Sequence, residues 1–207
     1  MLLSTIGSAF ACQEIVKNWD KVYDYTSKGN LVCVISNGTA VLGIGNIGAL
    51  ASKPVMEGKA ILMKKFGDVD CVDLNVNTTN IEETIDCIKL LSASYGAINL
   101  EDIKGPDCFY VEQSLKKQMD IPVFHDDQHG TAVVCLAALI NSCFLTKRNL
   151  EDLKVVMNGA GAAGIACLDL MIHHGVILSN CLTVDTWGVI YKGRKEGMNE
   201  FKERFAA

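Results

Sequence analysis

The stretch LKVVMNGAGAAGIACLDLMIHHG, from Leu153 to Gly175, constrains the fold of this chain more than any other. An apolar run of strand length leads straight into Gly159, Gly161 and Gly164, which open an apolar helix closed by Gly175. A strand that turns this tightly into a helix belongs to a parallel βαβ unit, and CLTVD, ending on Asp185, supplies the next strand. Each glycine has a physical task. Gly159 permits the turn, Gly161 admits a pyrophosphate to the helix N-terminus, and Gly164 lets helix and strand approach. Small residues also serve plain helix–strand packing, but here Asp185 follows at the end of the next strand, where a carboxylate accepts hydrogen bonds from an adenosine ribose and repels a 2′-phosphate. The combination predicts a dinucleotide site, NAD ahead of NADP, built from Gly159, Ala160, Gly161, Ala162, Ala163, Gly164 and Asp185.

The rest of the chain alternates helix and strand in the same way, so the expected fold class is α/β. Helical spacing runs over 13–25, 53–66, 80–94 and 106–119, and buried-strand runs appear in NLVCVIS, DCVDLNV, AINLED and IPVFHDD. TAVVCLAALINSCFL reads as an apolar helix bridging to a second domain, with a boundary near Gly130. The expected domains are therefore 1–129 and 130–207.

Two of these strands end on paired acids, Glu101-Asp102 and Asp126-Asp127. The C-terminal edge of an open α/β sheet is where ligands bind. Carboxylate oxygens are hard ligands that suit Mg²⁺ or Mn²⁺; the competing reading is a set of solvated loop acids. His125 and His129 bracket the second pair at a spacing that resembles a zinc protease helix. That pattern needs a glutamate where Asp126 stands, and the segment reads as a strand end plus turn, so the histidines read as polar neighbours.

Composition excludes several classes. The net charge of −5 and scattered basic residues argue against a nucleic-acid or anionic-membrane partner. Apolar runs stop short of the roughly 18 to 20 residues of a membrane helix. Nine cysteines without a C-x-x-C pair, several in apolar runs, predict reduced thiols and a cytoplasmic setting.

Taken in order, NGTAVLGIGNIGALASKPVMEGKAILMKKF, INLEDIKGPDCF, IPVFHDDQHGTAVVCLAALINS and VVMNGAGAAGIA resemble the malic enzymes, especially the short bacterial type. The resemblance covers the chain from about Cys12 onward. It implies an N-terminal substrate and metal domain followed by part of a Rossmann-type nucleotide domain. It also implies oxidative decarboxylation of malate to pyruvate and CO₂ with NAD(P) and Mg²⁺ or Mn²⁺. By the same resemblance Glu101, Asp102 and Asp127 are metal ligands, Lys59 is the general base, and Asp126 tunes it. Burial or the metal is expected to lower the pKa of Lys59.

Three departures follow from the same alignment. The family's catalytic tyrosine falls on Ser4, an aspartate falls on Asn37, and the family pattern continues beyond the second strand of the nucleotide domain. These predict weak turnover, a bare sheet edge, and a homodimer or association with a full-length subunit. A non-catalytic fragment that binds metal, nucleotide or such a subunit is the alternative expectation.

Overall fold

The computed structural model describes residues 5–207; Ser4, where the resemblance places the tyrosine, lies outside them. The chain opens with α1 (Thr5–Lys17) and, after a short 3-10 turn, α2 (Val22–Tyr25). The apolar spacing predicts one helix over 13–25. Asn18 interrupts it by adopting extended backbone and accepting the Asp20 amide on its own side chain, 3.0 Å, a local bond that competes with helix continuation.

Four strands and three helices then alternate: β1 (Leu31–Ser36), α3 (Gly48–Gly67), β2 (Asp70–Asn75), α4 (Ile81–Leu91), β3 (Ala97–Leu100), α5 (Asp107–Gln118) and β4 (Val123–His125). The strands form a fully parallel sheet in the order β2-β1-β3-β4. Burial on the core side explains their β-branched content, and Cys33, Val34 and Ile35 are completely buried. Asn80 starts α4 by accepting the Glu83 amide, as its sequence suggests.

α6 (Asp126–Thr146) runs from this sheet toward the second one. It starts earlier than expected: only His125 closes the strand, and Asp126 and Asp127 form the first helical turn, where carboxylates complement the helix dipole. Its length and composition would suffice to cross a membrane. Here it starts on two acids and packs along α7 (Ala162–His173), burying Ala132 and Leu136 with Cys167 and Met171. The second sheet has the order β5-β6-β7, with β5 (Val155–Asn158) parallel to β6 (Cys181–Asp185) and a very short β7 (Gly188–Val189) antiparallel to it. The return was not anticipated; Asp185 accepts the Trp187 amide at 2.9 Å and turns the chain back. α8 (Glu200–Glu203) follows. Among the described strands β5 has no outer neighbour.

One buried cluster links the two halves: Ile35, Ile98, Leu100 and Ile103 share it with Ile165, Leu168 and Phe205. All nine cysteines are free thiols.

Candidate functional site

Strand register assembles the acids. Ile35 pairs with Leu100, and Leu100 pairs with His125, so the residues following β3 and β4 emerge side by side at the same sheet edge. The Glu101 amide continues the ladder to the Ile35 carbonyl at 2.9 Å. Asp102 then takes a left-handed backbone, φ +52°, which a non-glycine residue adopts only where its surroundings hold it. They do: its amide donates to Asp127 Oδ2 at 2.9 Å, and its carbonyl accepts the Ala40 amide at 3.0 Å. Glu101, Asp102 and Asp127 each bring a carboxylate oxygen to within 4.8 Å of the others.

The electrostatics of this trio favour a positive charge. Burial, followed by the charge of Glu101, pushes the Asp127 carboxyl up to about 7 and that of Asp102 up to about 6. Burial raises Glu101 too. Acids that burial and mutual repulsion keep from ionising freely are relieved by a cation among them, and an all-oxygen set of this kind fits Mg²⁺ or Mn²⁺.

Lys59, from the middle of α3, reaches the same edge. Its ammonium contacts the Asp126 carboxylate and stands 3.1 Å from Glu101 Oε2. The expected lowering of its pKa is not what the chain produces. Burial does pull it down and is the largest single effect, but hydrogen bonds and charge from Asp126 and Glu101 together outweigh it, leaving the pKa raised. Gly130 makes room for this arrangement, since a Cβ there would sit 2.1 Å from Asp126 Oδ1.

The glycine turn faces the acids across one cleft of about 680 Å³, whose walls include Asp102, Asp127, Thr131, Gly159, Gly161 and Gly164. Gly159 carries φ +120° and its amide donates to Val184 at 2.9 Å. Gly161 caps α7 without a side chain, leaving first-turn amides open to an anion. Ala162 and Ala163 line the same cleft, while Ala160 is buried beneath the turn and also borders a second cleft. A Cβ on Gly164 would lie 1.9 Å from the Gly159 carbonyl oxygen. Gly164→Ala is therefore expected to lower the thermal melt, with a cost of about 1–3 kcal/mol for overpacking, and to weaken nucleotide binding in a fluorescence titration. Wild-type values for both would refute the close-approach role.

Asp185 lies in the second cleft, about 340 Å³, which shares Gly159 and Gly161 and is also lined by Lys202. Its carboxylate is not free. Arg194 grips it through both terminal nitrogens, 2.9 and 2.5 Å, and Lys202 Nζ adds a contact at 2.7 Å. The bonds from Arg194, ahead of those from Lys202, hold its pKa well below the usual carboxylate range.

The two histidines differ. His129 Nε2 meets Glu112 Oε1 at 2.7 Å. His125 is completely buried, and burial lowers its pKa to about 4. Residue-by-residue reading missed Asn99, which donates to Glu101 Oε2 at 2.9 Å; its place two residues before Glu101, on the same strand face, was a usable signal. Arg194 and Lys202 carried no local signal.

Comparison with known proteins gives a consistent picture. A family model described as malic enzyme, N-terminal domain, matches residues 2–116, and one described as malic enzyme, NAD binding domain, matches 128–207. A probable NADP-dependent malic enzyme of Rickettsia prowazekii is 63% identical over 97% of this chain, and an NAD-dependent malic enzyme of Rhizobium meliloti is 48% identical over the same share. In both cases the chain spans only 26% of the relative's length. The crystal structure of an NAD-dependent malic enzyme from Thermotoga maritima superposes with a TM-score of 0.93 at 44% identity, covering 99% of this chain and 55% of that one.

Proposed function

The chain belongs to the malic enzyme family, and from that premise we propose that its site serves the oxidative decarboxylation of malate to pyruvate and CO₂ with NAD(P) and a divalent metal. The observation that carries this reading is the continuity of one cleft from Asp102 and Asp127, two of the three grouped carboxylates, to the glycine turn. A hydride donor and its acceptor have to meet within van der Waals reach, and a shared cleft permits that.

In this reading Glu101, Asp102 and Asp127 hold Mg²⁺ or Mn²⁺. When bound, the cation supplies Lewis-acid stabilisation of negative charge on a substrate oxygen, and the nucleotide supplies the hydride acceptor. Lys59 Nζ takes the proton of the malate C2 hydroxyl. To do so it must first be neutral, and its two acidic neighbours oppose that. A Glu101 carboxylate engaged in ligation no longer favours the ammonium, which removes one of the two opposing charges. Asp126 keeps the amine aimed at the cleft. The Gly159–Gly164 turn with the α7 N-terminus receives the pyrophosphate.

Residues 1–129 form the substrate and metal domain in this proposal and residues 130–207 the nucleotide domain, with α6 crossing the boundary. The preference for NAD expected from Asp185 rests on a free carboxylate. With Arg194 and Lys202 on it the local formal charge is positive, so NAD and NADP both stand as nucleotides for this cleft. A homodimer, or pairing with a longer subunit, accords with the exposed Phe10 on α1 and Trp19 just after it. Nine free thiols accord with a cytoplasmic setting.

The reading is tested by supplying malate, Mn²⁺ and NAD⁺ or NADP⁺ in separate reactions, and following reduced nucleotide and pyruvate together. The two products are expected to form in step and only with Mn²⁺ present. Reduced nucleotide without pyruvate would count against the decarboxylation.

A further inference from the structure

His125 has no place in the reading above, yet its side chain is completely buried next to the carboxylates. Its side chain has no exposure, and among the described residues neither Nδ1 nor Nε2 completes a well-aligned hydrogen bond. A buried polar atom without a well-aligned partner costs stability, so its presence here calls for a reason. The backbone that carries the ring is fixed. It terminates β4 in register with Leu100, and its own amide donates to the buried Glu112 carboxylate at 3.2 Å. In that position Nε2 lies 3.4 Å from Asp127 Oδ2. This is the oxygen that already accepts the Asp102 amide, so Oδ2 is the side of the carboxylate held by the protein.

We propose that His125 is a positioning residue for the metal site: an imidazole that directs its Nε2–H at Asp127 Oδ2 and, with the Asp102 amide, orients the carboxylate for ligation. Carboxylates that bind metal are commonly held by such outer hydrogen bonds, and their loss weakens binding without removing a ligand. The role also explains why the chain places an imidazole, rather than an apolar side chain, at the buried end of β4. The inference rests on the assignment of Asp127 as a ligand.

The test uses the 207-residue chain and Mn²⁺ alone, read by electron paramagnetic resonance of the free ion. His125→Leu is expected to weaken Mn²⁺ binding about 10- to 100-fold. His125→Gln, whose side-chain amide can donate from a similar position, is expected to recover most of that loss. Wild-type affinity in the leucine variant overturns the inference. Asp127→Asn, run alongside, separates the two readings: if it also binds like wild type, the ligand assignment fails and the positioning role falls with it. A second measurement needs no substitution. In ¹H–¹⁵N spectra of the imidazole the Nε2–H tautomer is expected, with a shift when Mg²⁺ is added; an Nδ1–H tautomer, or no shift, overturns the inference.

Discussion

Asp127→Asn is expected to weaken Mn²⁺ binding by about two orders of magnitude, because affinity at an oxygen site follows the number of ligand charges. The same substitution is expected to raise the melting temperature of the chain when no cation is added. The sign comes from linkage. The Asp127 carboxyl is pushed up to about 7 in the fold, from its ordinary value of 3.8, chiefly by burial. Between those values the native chain holds a proton that the unfolded chain has released, so stability falls as pH rises from about 4 to about 7. Above that window the whole penalty is in force, and asparagine does not carry it. At about pH 8 the variant should therefore melt above wild type in buffer with a chelator. Excess Mn²⁺ should reverse the order, since only wild type gains the binding energy. Melts that keep the same order with and without Mn²⁺ would show that Asp127 is not a ligand.

Lys59→Met is expected to slow formation of reduced nucleotide from malate by about 10²- to 10⁴-fold, the usual contribution of a positioned general base. Methionine keeps most of the aliphatic stem in place and removes the ammonium. Cation binding should survive and is expected to be at least as tight as in wild type, because the positive charge 3.1 Å from Glu101 is gone. The separation of the two effects is the informative part. A variant that lost Mn²⁺ binding and turnover together would identify Lys59 as a support of the carboxylate trio and not as the base. A variant with wild-type turnover would remove Lys59 from the chemistry.

Much of the architecture was legible in the residues, because its signals are local. The β-branched runs of β1 and β3 and the glycine turn before α7 each carry their own signature within a dozen residues. Helix boundaries were less legible where two local preferences compete. Asn18 ends α1 through a side-chain bond that periodicity does not register, and Asp126 enters a helix that apolar spacing alone would have begun at Thr131.

The candidate site divides along the same line. Sequence by itself determined which residue types were available: the acid pairs at two strand ends, the lysine in EGK, the G-x-G-x-x-G turn and the aspartate beyond it. Only the tertiary structure decided their state. The parallel register of β3 and β4 turns two separate acid pairs into one trio, and the two carboxylates around Lys59 raise a pKa that burial was expected to lower. Arg194 and Lys202 fold back onto Asp185 and occupy the charge expected to face a ribose. A residue's type is written in the chain. Its charge and its free lone pairs depend on neighbours that only folding brings within a few ångströms, and on how much water that folding removes.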